Sequence, residues 1–382
     1  MGPNPLLGVV YHWIGGLASA SNFIPFRPIK RWSWEIFWII QGFVAWIVAP
    51  EIFAFLFVPN VSVVLHTAPA AAVRHAIFWG AMWGVGGLTF GLSIRYLGIA
   101  LGYAIALGFC TAFGTLMPPL FSGQLIAISH TIGGRVIFFG IFVCVVAIAV
   151  NGWAGYLKEQ EVPREEKALL GQRDYSFGKG LAVATFAGIM SSCFAYGLAA
   201  GKPIAVVARA QLLSRHRMDL WQNLPVLVAV LWGGFLTNLL WSAFLIVRNQ
   251  SARQFLGEPG VNPMGVSEPE GSGFSSRLKT AAKARIQSGD LFRNYALASS
   301  AGLLWYLQFF FYSMGQTKMG KYDFSSWTLH MASIIIFATL WGIGLREWQD
   351  TSRRTRFLVG CGLFLLVSST IIVGYGNYLS VR

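Results

Sequence analysis

Ten apolar stretches, each about twenty residues long and nearly free of charge, constrain this chain more than any other feature. Read from one charge cluster to the next, they run Leu6 to Phe26, Ile36 to Val58, Ala76 to Ile94, Leu97 to Phe121, Val136 to Leu157, Gly180 to Ala200, Leu224 to Val247, Tyr295 to Gly315, Phe324 to Leu345 and Phe357 to Leu379. A helix rising ~1.5 Å per residue crosses the ~30 Å hydrocarbon layer in about twenty residues. Of the 29 Lys and Arg and 15 Asp and Glu residues, only Glu51 falls inside a stretch, as the cost of charge in lipid requires. Barrel strands would alternate polar and apolar residues over about ten positions, and these stretches do not. The fold class is therefore an all-α integral membrane protein with ten transmembrane helices. Charged residues make up 12% of the 382, about half the ~25% typical of soluble domains, which excludes a single soluble domain.

The first stretch holds Ala18-Ser19-Ala20, a sequence a signal peptidase could accept. No Lys or Arg precedes it, so it reads as a retained span rather than a signal peptide. The four cysteines, Cys110, Cys144, Cys193 and Cys361, all lie in spans without CxxC spacing. They read as small buried side chains, with no disulfide or metal site expected.

Loops after the odd-numbered spans carry 20 of the 29 Lys and Arg residues. The positive-inside rule places those loops in the cytoplasm and both termini outside. The net charge of +14 follows from this bias, so basic loops beside an anionic leaflet account for it without nucleic acid. The most polar short connection divides the chain into a first five-helix repeat (1–157), a central cytoplasmic linker (158–179) and a second five-helix repeat (180–382). With an odd number of spans in each half, the two repeats must be inverted relative to one another, which suits alternating access around a midplane site. The stretch 249–290, rich in Gly, Ser and charge, is expected to be a flexible cytoplasmic loop with a short basic helix near Ser276 to Gln287.

Rings of charge, filter loops, paired haem histidines, HExxH, GxSxG and Walker-type loops are all missing from the sequence, which points away from ion channels, redox proteins and the common hydrolases. The spans instead place uncharged polar residues beside aromatics. That is the chemistry of sugar sites, where ring faces stack on C–H bonds and amides or hydroxyls meet hydroxyl groups. Trp305, Gln308 and Tyr312 stand at i, i+3 and i+7, an arc of about 60° on one helix face. An unpaired mid-span amide such as Gln308 would cost a few kcal/mol without a partner or a solvated cavity. Trp79, Trp83 and Phe90 share a face with Gly86, while Gly98, Gly102 and Gly108 thin the next span and read as packing contacts. A coupled carrier needs a group that changes protonation, and the short set available in or beside the spans is led by Glu35, His12 and His330. Glu35 also suits a structural role at a helix start.

Several segments resemble the bacterial L-rhamnose-proton symporter family of the drug/metabolite transporter superfamily: His12-Trp13-Ile14-Gly15, Lys30-Arg31-Trp32-Ser33-Trp34-Glu35, Gly80-Ala81-Met82-Trp83-Gly84, Arg95-Tyr96-Leu97-Gly98, Gly114-Thr115-Leu116-Met117, the run Leu304 to Tyr312, Tyr322-Asp323, Ser326-Trp327 and Leu329-His330-Met331. The resemblance spans essentially the whole chain. It implies two inverted five-helix repeats and proton-driven uptake of L-rhamnose or a close 6-deoxyhexose, a neutral sugar, by alternating access, with the proton as coupling ion and no cofactor. On the matching motifs, Glu35, His12, His330 and Asp323 are expected to serve proton coupling. Gln308, Tyr312, Trp305, Trp83, Trp327 and Arg95 are expected to bind substrate. The expected location is the bacterial inner membrane, multi-pass, with both termini periplasmic. Glu51 departs from the family pattern and is set aside as a coupling residue; the 249–290 loop is longer than the family leads one to expect. On the residues alone, two alternatives stay open: a carrier or exporter of another metabolite on the same scaffold, and an intramembrane transferase acting on lipid-linked sugars.

Overall fold

In lipid a backbone can hydrogen-bond only to itself, and the uncharged stretches are helical for that reason. A computed structural model describes residues 2–97, 99–161, 177–258, 286 and 288–381, without the side chains of Arg95, Ile99 and Ala100. Its long helices are α1 (Pro5–Ser21), α2 (Trp34–Phe57), α3 (Ala70–Leu97), α4 (Ile99–Phe121), α5 (Ile132–Glu161), α6 (Phe177–Ala200), α7 (Leu224–Arg248), α8 (Ser288–Lys318), α9 (Ser326–Gly344) and α10 (Arg353–Val381). Among the described residues there is no strand, and eight helices are long and apolar enough to cross a membrane. The two long helices outside that set are α1, which has 17 residues, and α8, which carries Asn294, Gln308, Ser313 and Gln316 along its length.

The boundaries differ from the hydropathy reading where side chains intervene. Helix α1 stops at Ser21, five residues before Phe26, because Asn22 Nδ2 donates to Ser19 O at 2.7 Å and Pro25 cannot continue the ladder. Helix α8 starts at Ser288, seven residues before Tyr295; Asp290 sits in its first turn, where a carboxylate complements the dipole. Helix α5 keeps its charged end because Glu161 accepts from Ser352 N and Thr355 Oγ1, each at 2.8 Å.

Two helices are irregular at mid-length. Val44–Val48 of α2 forms a π-turn just before Pro50, where a widened turn accommodates a ring that would clash in a regular helix. Helix α6 breaks at Ser192, whose hydroxyl donates to Ile189 O at 2.6 Å.

The connections gather on two faces. On one, Asn4 N donates to Lys318 O at 2.9 Å, Gly320 lies beside Pro3 and Val381, and Thr131 Oγ1 and Tyr322 OH are 2.8 Å apart. Both chain ends therefore share this terminal face. On the opposite face Arg27 pairs with Glu347 at 2.9 Å, Asn294 Nδ2 donates to Lys30 O at 2.9 Å, and Trp32 Nε1 donates to Gln254 O at 3.1 Å. Helix α8 runs between the two faces, from Asn294 to Lys318.

Of the segment expected as a flexible loop, residues 249–258 are described. They include a 3-10 turn, Ala252–Leu256, whose Gln254 and the neighbouring Ser251 are buried. Residues 259–285 and 287, and with them the expected basic helix, lie outside the described residues, as does 162–176 of the expected linker.

The strongest pairings are α5 with α10, α3 with α6 and α7, and α1 with α8 and α9. Glycine allows the closest of these. A Cβ on Gly80 of α3 would strike the Val230 carbonyl of α7, and one on Gly233 of α7 would strike Ile77 O. Small residues at crossing points are how lipid-embedded helices gain packing contact. In α1, Gly8 and Gly15 meet α8 while Gly16 meets Ser333 of α9, so this short helix wedges against both.

Candidate functional site

Helix α8 turns Gln308 and Tyr312 inward, leaving them 4% and 2% exposed. Beside Tyr312 stand two imidazoles, His12 from α1 at a ring-centroid distance of 5.3 Å and His330 from α9 at 5.1 Å. Both histidines are fully buried, and among the described residues none of their four ring nitrogens has a hydrogen-bond partner. Their backbones are joined by Ser333, whose hydroxyl lies 2.9 Å from His12 O and 2.8 Å from His330 O. The Gln308 amide and Tyr312 hydroxyl lie on the same inward face of α8. A buried polar atom left without a partner costs roughly 1–3 kcal/mol. Several in one place mark a site built for a visitor that supplies the missing bonds.

Aromatic rings frame these polar groups. Trp327 lies 5.9 Å from Tyr312 and stacks on Phe194 at 5.6 Å; Phe194 stacks on Phe309 at 4.2 Å. Trp83 reaches Phe194 at 5.1 Å and Trp305 at 5.6 Å, and Trp46 closes the group at 5.2 Å from Trp305. The Trp327 ring is held at its rim, where Nε1 donates to Cys110 O of α4 at 3.0 Å, and the hydroxyls of Thr115 and Thr328 meet at 2.7 Å beside it.

The structure thus brings together seven of the ten residues singled out in the sequence: His12, His330, Gln308, Tyr312, Trp305, Trp83 and Trp327. Two stand elsewhere. Glu35, 3% exposed at the start of α2, accepts from Ser251 Oγ at 2.8 Å and Asn249 Nδ2 at 3.1 Å on the opposite face. Asp323, in the turn before α9 on the terminal face, pairs with Lys202 at 3.0 Å. The side chain of Arg95 lies outside the described ones. Sequence reasoning missed Phe194, Phe309 and Trp46. Trp46 carried a readable signal, because a tryptophan at mid-span is away from the interfaces where that residue usually sits. Among the described residues no three His, Cys, Asp or Glu side chains converge as metal ligands would.

Apolar helices of crossing length around a buried cluster of rings, amide and imidazoles describe a multi-pass membrane protein with a central polar site. The family model for the L-rhamnose-proton symport protein matches residues 1–255 and 276–378. The chain belongs to that family. It is 31% identical over 371 residues to an L-rhamnose-proton symporter of Cronobacter sakazakii, covering 97% of each chain. Its identity to an L-rhamnose-proton symporter of Yersinia pestis is 30% over 372 residues, covering 97% of this chain and 98% of the relative. A Yersinia pseudotuberculosis symporter of the same name matches to the same extent. These relatives are named as transporters, not enzymes.

Proposed function

We propose that this protein imports L-rhamnose, or a close 6-deoxyhexose, together with a proton across the bacterial inner membrane by alternating access. The observation that carries the reading is Tyr312 standing between two unpartnered buried imidazoles, one turn of α8 from the buried amide of Gln308, in a chain of the rhamnose-proton symporter family. Gln308 and Tyr312 hydrogen-bond sugar hydroxyls, and Trp83, Trp305 or Trp327 offers a ring face to the sugar. His12 and His330 are the groups beside that site which take up and release the coupled proton. One charge crossing ~150 mV gains about 3.5 kcal/mol, enough for roughly 400-fold accumulation of a neutral sugar.

Ten crossings in two inverted halves, 1–157 and 180–382 joined by 158–179, agree with the pairing of the helices. Exchanging each helix for the one five further along turns the pair α1–α8 into α6–α3, α1–α9 into α6–α4, and α4–α5 into α9–α10; all are pairs the fold contains. The Lys and Arg bias puts the opposite face in the cytoplasm and the terminal face in the periplasm.

The test is counterflow of labelled L-rhamnose, L-fucose and a non-deoxy hexose in proteoliposomes at two pH values. Rhamnose exchange, with accumulation only when the outside is acidic, is expected. Passive equilibration indifferent to the imposed pH gradient would overturn the reading.

A further inference from the structure

A second polar space lies on the terminal face, apart from the aromatic cluster. It is a pocket of about 450 Å³, within the size range of small-ligand sites. Its charged lining is paired, Lys202 with Asp323 at 3.0 Å and Arg209 with Asp219 at 3.5 Å. Two cations matched by two anions leave no net charge to select an ionic ligand. The uncharged polar groups Gln222, Asn223 and Gln316 line the same space. Asn223 Nδ2 donates to Gln316 Oε1 at 3.1 Å and to Ser313 O at 3.4 Å, so the Gln316 amide hydrogens and the Asn223 carbonyl oxygen stay available. Donors and acceptors together, beside the apolar side chains of Leu198 and Val226, match a neutral polyhydroxylated molecule with an apolar patch.

The pocket is also in line with the central site. Gln308, Tyr312 and Gln316 stand at i, i+4 and i+8 on α8, a polar stripe on one helix face that climbs from the imidazoles to the pocket floor. We propose that this pocket is a second sugar-binding site, an outer vestibule that captures a neutral monosaccharide and hands it along the stripe to Gln308 and Tyr312. The inference rests on the sugar-carrier reading given above.

Equilibrium dialysis of purified protein against labelled L-rhamnose up to several millimolar tests it. Two outer variants probe the pocket: Val206→Trp, at an exposed lining position where a large ring fills the space, and Gln222→Leu, which removes a polar group. Gln308→Ala probes the centre. Wild type is expected to bind two sugars per chain, each single variant one, and Val206→Trp combined with Gln308→Ala none. The outer variants are expected to raise the KM for uptake about tenfold, a change of roughly 1.4 kcal/mol in capture. One sugar per chain, lost in Gln308→Ala and untouched by the outer variants, would overturn the vestibule and leave the central site standing. One sugar lost only in the outer variants would keep the vestibule and overturn the central site. No rhamnose binding by the folded wild type would overturn both.

Discussion

Ser251 donates its hydroxyl to the buried carboxylate of Glu35 at 2.8 Å, tying the segment after α7 to the start of α2. Gln254 strengthens the tie by accepting from Ser33 N at 2.6 Å. A carboxylate held by donors from the segment after the neighbouring α7 is suited to latching that face shut. Ser251→Ala and Glu35→Gln are therefore expected to lower the melting temperature, since each leaves buried groups unpaired at a cost of roughly 1–3 kcal/mol. Glu35→Gln should still concentrate sugar against its gradient. Loss of accumulation with counterflow intact would move the coupling role from the imidazoles to Glu35.

The histidines should behave differently. With His330→Asn or His12→Asn, sugar exchange in counterflow is expected to persist within a few fold while accumulation driven by an acidic exterior disappears. Alkalinisation of the medium on adding sugar is the readout, and normal alkalinisation in both variants would remove them from the mechanism.

Gln308→Ala should weaken rhamnose binding at the central site about a hundredfold or more, the loss of two hydrogen bonds in a dry site. The thermal shift given by saturating sugar should shrink accordingly, because stabilisation follows the ratio of ligand to Kd. An unchanged affinity would place the sugar elsewhere.

Gly80→Val is expected to cost more than 3 kcal/mol and to yield little monodisperse protein in size-exclusion chromatography, because its side chain falls on the Val230 carbonyl. Gly87→Ala, with nothing within 4 Å of the new Cβ, should elute as wild type.

Helical class and most span positions were legible because lipid imposes one pattern, an uncharged run of fixed length. The inward set on α8 was legible for a similar reason: a mid-span amide such as Gln308 has few acceptable environments. What stayed hidden needed contacts across the chain. Nothing local distinguishes Phe194 from the other phenylalanines that face lipid, and its role appears only when its ring meets Trp327 of α9 and Phe309 of α8. Glu35 at a span end and His12 within a span both read as candidate proton carriers, yet one is held by Asn249 and Ser251 while the ring nitrogens of the other have no hydrogen-bond partner among the described residues. Residues 249–258 read as loop from composition because the donors that fix them belong to Trp32 and Ser33, more than 200 positions away.

The correspondence of helix pairs five positions apart has an energetic consequence. On the alternating-access reading proposed above, parting α1 from its neighbours at one face while α6 closes on its own at the other would exchange one set of helix contacts for a corresponding one, which would leave the two end conformations close in energy however strong the packing is. On that reading the non-matching details, the carboxylate tie on one side and the charge pairs on the other, would set which conformation is preferred. A membrane voltage contributing ~2.3 kcal/mol per charge per 100 mV is then ample bias for so shallow a balance.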